Sequence, residues 1–202
     1  MDASIRLRDP IAPQLVATLR QAIAELKLRP GEALSEKDIA SRFGVSRQPV
    51  REAIECNLTH NAARLATPAQ IAALRGLIDA QKAAEAASDY WRFNDNDEAF
   101  HRAIADIVQS DYAWRIVEGA RIQTDRVRYL SLPEASPMQL LIDQHEAILE
   151  RLAAGDADGA EAAMRRHLRE ILIALPQIAS ANPDLFADTD LPAHTVDLTP
   201  AG

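Results

Sequence analysis

Apolar residues recur at helical spacing throughout this chain, and that spacing constrains its fold more than any other feature. Leu15, Leu19 and Ile23 follow one another four residues apart, and similar stripes run through the long segments as far as residue 175. Such spacing places apolar side chains on one face of a helix, whereas a half-buried strand needs alternation, which no segment shows convincingly. The sequence therefore predicts an all-α fold of packed helices.

Caps and turns set the predicted helix boundaries. The predicted helices cover, in chain order, 13–26, 36–43, a segment that begins after Ser46, 68–86, 89–109, 110–132, 137–154 and 157–175. Thr67 with Gln70, and Ser136 with Gln139, have the spacing of a capping box. Pro176 should stop the last helix, because proline lacks the amide hydrogen that the helix needs.

Composition and charge narrow the class of protein. The net charge is −8, but residues 1–54 contain nine Lys/Arg and seven Asp/Glu, a balance of +2, so the remainder carries −10. The acidity therefore does not argue against nucleic-acid binding by the first segment. No apolar run reaches the ~20 residues of a membrane span, and the N-terminus has no secretory pattern. The single cysteine, Cys56, permits no internal disulfide, and these features predict a cytoplasmic protein without a membrane partner.

A helix-turn-helix is predicted near the N-terminus. The helix over 36–43 is followed by Gly44, and Ser46 caps the next helix, so two helices are joined by a tight turn. In this motif the first residues of the second helix reach base edges in the major groove. Arg47 and Gln48 stand there, with Arg51 one turn later, and Arg and Gln can pair bidentately with guanine and adenine. For these few residues alone, an ordinary solvated helix end is the competing interpretation.

Four polar residues occupy positions where a packed bundle would otherwise hold apolar side chains. They are Asp97, His101, His145 and His167. Each buried histidine could have a separate hydrogen-bond partner, and that explanation suffices for any one of them. Together, the four could instead share one divalent ion, as facing helices of bundles often do. Imidazole-rich ligation favours zinc, with nickel or manganese as further possibilities.

A site of this composition with open coordination positions would also suit a metal-dependent hydrolase. Such an enzyme needs a general base beside the ion. Asp143 and Glu146 flank His145 in sequence but are predicted to face away from its stripe. The enzyme is therefore retained as the alternative to ligand capture.

The segment "LRPGEALSEKDIASRFGVSRQPVREA" resembles the N-terminal domain of GntR-type transcription regulators, with a match over about Ile11 to Ala53. The resemblance implies a homodimer that binds operator DNA. It assigns DNA contacts to the positions Lys37, Ser46, Arg47, Gln48 and Arg51.

The segments "DNDEAFHRAIADI" and "QHEAILERLAAGDADGAEAAMRRHLREIL" resemble the helical effector domain of the FadR-like branch of these regulators. That resemblance implies a divalent metal held by the four polar residues named above, and a small organic acid as effector. Arg121 and Arg128 share a helical face and could hold the acid's carboxylate. A solvated basic face is the alternative for both.

Three regions are predicted: a helix-turn-helix domain over 1–53, a helical effector and dimerisation domain over 54–179, and a flexible tail over 180–202. Members of the family place a two-stranded wing and a linker after the DNA-reading helix, together about 40 residues. Here "REA", residues 51–53, fits both the DNA-reading helix and the first effector helix. The segment is therefore a junction from which the wing is missing, through either a deletion or an omission. Arg51 could accordingly face a base or the effector site.

Overall fold

The described residues of the computed structural model form helices joined by short connections. The described residues are 11–24, 36–43, 47–118 and 137–181. The helices are α1 (Ile11–Ala24), α2 (Glu36–Phe43), α3 (Arg47–Leu65), α4 (Pro68–Ala86), α5 (Tyr90–Ile107), α6 (111–118), α7 (Met138–Ala153) and α8 (Ala157–Ala181). Within these ranges there is no strand, and the predicted all-α fold is confirmed.

The helical bundle consists of α3, α4, α5, α7 and α8. Short connections at 87–89 and 154–156 return α5 along α4 and α8 along α7, and α3 packs along α8. Gly155 ends the α7 turn with φ of +69°, a left-handed conformation that glycine adopts without steric cost. The bundle core includes the fully buried Phe93, Phe100 and Ile142.

The helix-turn-helix region packs against the bundle instead of standing apart from it. Helices α1 and α2 both contact α3. Their shared core is a cluster of six buried residues: Leu15, Ile39, Ala40, Val50, Ala53 and Ile116. Ile116 comes from α6, so this small core already draws on a helix outside the helix-turn-helix.

Helix α3 runs without a break across the predicted junction. Its 19 residues include the end of the helix-turn-helix segment and the start of the effector segment. Every residue from Val50 to Cys56 is buried except the half-buried Ile54. The predicted DNA-reading helix is thus also the central helix of the bundle.

The predicted caps are confirmed at one helix and wrong at another. At α4, Gln70 N donates to Thr67 Oγ1 at 3.3 Å and Thr67 N donates to Gln70 Oε1 at 2.9 Å, which completes the capping box. At α7 the N-cap residue is Pro137, which has no side-chain acceptor, and Gln139 instead donates to Asp143 at 2.6 Å. The second box therefore does not form, because the helix starts one residue later than its spacing requires.

Helix α8 continues past Pro176 to Ala181, so the predicted stop is wrong. A proline removes its own amide hydrogen bond but leaves the other hydrogen bonds of the helix, so a helix can continue past it at a local cost. The predicted boundary at 180 falls within the last turn of α8, and 182–202 lie outside the described residues. No helix in the described ranges is long and apolar enough to cross a membrane.

Candidate metal centre

Asp97, His101, His145 and His167 converge inside the bundle, and we call them the His3Asp cluster. α5 supplies Asp97 and His101, α7 supplies His145 and α8 supplies His167, and each is at most 3% exposed. One ligand atom from each lies within 4.8 Å of the others. The sequence-based prediction that these four residues come together is confirmed.

The distances within the His3Asp cluster resemble those around one small ion. The Nε2 atom of His167 lies 3.2 Å from that of His101 and 3.3 Å from that of His145. His145 Nε2 lies 3.5 Å from an Asp97 carboxylate oxygen. Four ligands placed tetrahedrally at 2.0–2.1 Å from zinc would be about 3.3 Å apart. Three of the six separations are thus close to the tetrahedral value, and all six are within 4.8 Å, so the donor set suits one divalent ion.

A second layer of side chains sets the direction of each imidazole. His145 Nδ1 donates to Gln81 Oε1 at 2.8 Å, and His167 Nδ1 donates to Gln144 Oε1 at 2.9 Å. The amide orientations follow from their other contacts, because Gln81 Nε2 donates to the Asn96 carbonyl and Gln144 Nε2 donates to a Glu170 carboxylate. Since both amide oxygens face the rings, each Nδ1 carries the hydrogen and each Nε2 presents a lone pair to the cluster.

Glu55, on α3, lies against the imidazole of His101 in the same way. One of its carboxylate oxygens lies 2.5 Å from His101 Nδ1, and an anionic oxygen this close favours the tautomer that carries its hydrogen on Nδ1. The other oxygen accepts a hydrogen bond of 2.5 Å from Arg51 Nε. Burial by itself raises the pKa of Glu55, but the Arg51 guanidinium and His101, with the hydrogen bonds that both donate, outweigh it and hold that pKa well below its usual range. Glu55 is therefore an ionised carboxylate.

Sequence reasoning missed Gln81, Gln144 and Glu55. Gln81 continues the inward stripe of Leu74 and Ile78 on α4, and its polar side chain at a core position was a usable signal. Glu55 gave no comparable signal, because its role depends on how α3 packs against α5.

Two of the predicted DNA contacts point into the bundle. Arg51 is 2% exposed and holds Glu55, and Gln48 Nε2 donates to the Leu168 carbonyl oxygen at 2.8 Å. In this conformation neither side chain is free to reach a base edge, because α3 is covered by α5 and α8. Ser46 lies outside the described residues, as do the side chains of Lys37 and Arg47. Both predicted effector-binding residues, Arg121 and Arg128, also lie outside them.

The residues that could support enzyme chemistry are engaged elsewhere. Asp143 accepts from Gln139, and Glu146 pairs with Lys82 at 2.5 Å on the surface. Cys56 is buried, and this burial raises its pKa well above the ordinary value, so the thiol is a poor nucleophile. Neither Asp143 nor Glu146 stands beside the His3Asp cluster as a general base.

Two protein families match the chain, and their matches overlap. Residues 49–170 match the FCD domain, and residues 11–56 match the gntR family of bacterial regulatory proteins. The shared residues, 49–56, lie within α3 and include both Arg51 and Glu55. The two families thus meet in a single helix.

The similar proteins are described as HTH-type transcription regulators. The HTH-type transcriptional repressor RspR of Escherichia coli K12 is 30% identical over 225 aligned positions, which cover 93% of this chain and 99% of that protein. A regulator from an unstable DNA locus of Streptomyces ambofaciens is 29% identical over 204 positions, covering 84% of this chain and 86% of that protein. The solved structure of E. coli McbR/YncC shares the fold, with a TM-score of 0.55 and 19% identity over 82% of this chain and 97% of that one.

The alignment with RspR is longer than the part of this chain that it covers. The aligned 93% of 202 residues is about 188, so about 37 of the 225 aligned positions have no residue in this chain. That deficit agrees in size with the wing and linker expected after the DNA-reading helix.

The FCD match covers more than half of the chain, and the named relatives are regulators, which points away from an enzyme. The chain therefore belongs to the GntR family of DNA-binding transcription regulators and carries an FCD domain.

Proposed function

We propose that this regulator is controlled by a divalent metal in the His3Asp cluster and by a small organic acid. The observation that carries the proposal is the direction of the three imidazoles. Gln81, Gln144 and Glu55 turn three Nε2 lone pairs toward one another, with the Asp97 carboxylate beside them. Such groups repel in a low-dielectric interior, and a cation among them converts the repulsion into coordination. Zinc suits this donor set best, with nickel or manganese next.

The charge around the cluster supports an anionic effector. Asp97 and Glu55 contribute two negative charges and Arg51 one positive charge, so a divalent ion would bring the sum over these three buried side chains to +1. Zinc can expand from four ligands to five, so an ion held by these four side chains would accept one further ligand. A carboxylate would serve as that ligand and offset this positive charge. Arg121 and Arg128 are proposed, from sequence alone, to hold the rest of the acid.

The metal proposal is tested with zinc itself. Isothermal titration of the metal-free protein should give one zinc per chain. His145→Ala should weaken zinc binding by more than about 100-fold, which exceeds the effect expected from losing a residue that only orients a ligand. His60→Ala is the matched control, because His60 lies outside the cluster and contacts Asp158 and Glu161 near the start of α8. Equal zinc affinity in wild type and His145→Ala would refute the site.

The DNA surface is proposed to be formed by α2, the turn before α3 and the first turn of α3, with Lys37, Ser46 and Arg47 as contacts. The protein would act in the cytoplasm as a homodimer on a pseudo-palindromic operator, since two-fold operators match two-fold proteins. Arg47→Ala should cost about 1–3 kcal/mol at the operator and blur base preference at one position. Operator and scrambled duplexes compared at several salt concentrations provide the test. An equal loss on both duplexes would show that Arg47 contacts phosphate only.

A further inference from the structure

The metal cluster and the DNA-reading segment share helix α3. We call residues 47–55 the N-terminal half of α3. It lies between the small core of α1 and α2, which receives Val50 and Ala53, and the bundle, which receives Arg51 and Glu55. In a chain with a wing and a linker, the two domains would be connected by separate segments. Here a rigid helix joins them directly.

One side chain of this half contacts a residue of the His3Asp cluster. Glu55 places one carboxylate oxygen on His101 Nδ1 and the other on Arg51 Nε, both at 2.5 Å. Arg51 and Glu55 are four residues apart and therefore on the same face of α3. The carboxylate and the guanidinium are buried, so each depends on the other for compensation of its charge. Moving Arg51 outward, toward a DNA groove, would leave the Glu55 charge uncompensated beside His101.

From this arrangement we infer that Glu55 is a positioning residue, which acts through His101 and couples metal occupancy to the docking of the N-terminal half of α3. The inference rests on the proposed metal site and specifies its regulation. An ion fixes the His101 ring, and the ring fixes the Glu55 carboxylate, which retains Arg51 in the interior. By linkage, whatever draws this half of α3 away from the bundle must weaken metal binding by the same factor.

Gln81 offers a control of the same kind on a different helix. It holds His145 from α4, as Glu55 holds His101 from α3. Removing either partner should weaken zinc binding by about 10–100-fold. Only the removal of Glu55 should disconnect the metal from α3.

The experiment is hydrogen exchange, followed by mass spectrometry, on the full chain with and without saturating zinc. The test variant is Arg51→Met/Glu55→Leu, which removes both buried charges together. Proteins commonly tolerate the replacement of a buried ion pair by apolar residues of similar volume. Arg51→Met/Glu55→Gln restores an acceptor for His101 without restoring charge. Gln81→Leu is the control. Peptides covering 47–53 report on docking, and peptides covering 98–104 report on metal binding itself.

Zinc should slow exchange over 47–53 by at least about fivefold in wild type, in Gln81→Leu and in the Gln-containing double variant. In Arg51→Met/Glu55→Leu the slowing over 47–53 should be lost, while that over 98–104 persists. Equal slowing over 47–53 in this variant and in wild type would overturn the coupling alone. A wild-type protein that binds no zinc in the titration would overturn the metal site, and the coupling with it.

Discussion

The interior of the helical bundle and the interior of the helix-turn-helix region contain different kinds of side chain. The bundle interior surrounds four polar ligands, with Phe100 stacked on His145 at a centroid distance of 4.5 Å. The helix-turn-helix interior contains only small and aliphatic side chains, six of them buried, and one is supplied by α6. The bundle interior is large, and it tolerates a polar centre because Gln81, Gln144 and Glu55 each lie against the second ring nitrogen of one imidazole. The helix-turn-helix interior is too small to stand alone and depends on the bundle.

This contrast separates the bundle, which supplies most of the buried apolar surface, from the helix-turn-helix, which is proposed to bind DNA. The bundle can hold four buried polar side chains because abundant apolar burial surrounds them. The helix-turn-helix has little burial of its own, so its position follows that of α3. Four substitutions or additions, ordered from the largest expected effect, test this division.

Phe100→Ala should have the largest effect, destabilising the protein by about 3–5 kcal/mol, because it leaves a cavity in the bundle beside His145. Phe100 is 0% exposed, whereas Leu65 is 58% exposed. Leu65→Ala should therefore change the free energy of unfolding by no more than about 0.5 kcal/mol. Urea unfolding of both variants measures the difference. A small effect at Phe100 would mean that the bundle interior is loosely packed.

Ile116→Ala should cost about 2–4 kcal/mol, since it removes a buried side chain from the small core. Ile116→Val should cost only about 0.5–1.5 kcal/mol. If α6 truly completes the helix-turn-helix core, the alanine variant should also speed hydrogen exchange in α1 and α2. Unchanged exchange there would show that the small core is independent of α6.

Zinc at 100 times its dissociation constant should raise the free energy of unfolding by about 2.7 kcal/mol, because it binds the folded state selectively. Thermal melts with zinc and with a chelator measure the shift. His145→Ala should abolish the shift without abolishing folding. A similar shift in that variant would place the stabilising zinc elsewhere on the chain.

Thr67→Ala should have the smallest effect, about 1 kcal/mol, through loss of the α4 cap. Thr67→Ser retains the hydroxyl that accepts from Gln70 N and should restore most of the stability. Chemical denaturation of the three proteins is sufficient. Equal stability of the Ala and Ser variants would show that the capping box contributes nothing measurable.

Local pattern predicted most of the helices and all four members of the His3Asp cluster. Asp97 and His101 share a helical face by their spacing, and His145 and His167 stand in stripes of apolar residues, so their inward direction could be inferred without coordinates. Some of the missed features were local in this sense and others were not. Gln144 was overlooked within a stripe that was otherwise predicted correctly, and α8 runs past Pro176 although a proline is a local stop signal.

The sequence by itself determined which faces of the helices turn inward and which polar residues those faces carry, because helical period is a property of neighbouring residues. Only the tertiary structure decided what those polar residues meet. Arg51 and Gln48 have the same local sequence whether they face DNA or the bundle, and it is the packing of α5 and α8 against α3 that directs them inward. The link from His101 through Glu55 to Arg51 joins residues about 50 positions apart. Such a link depends on the way α3 and α5 cross, which no local spacing records.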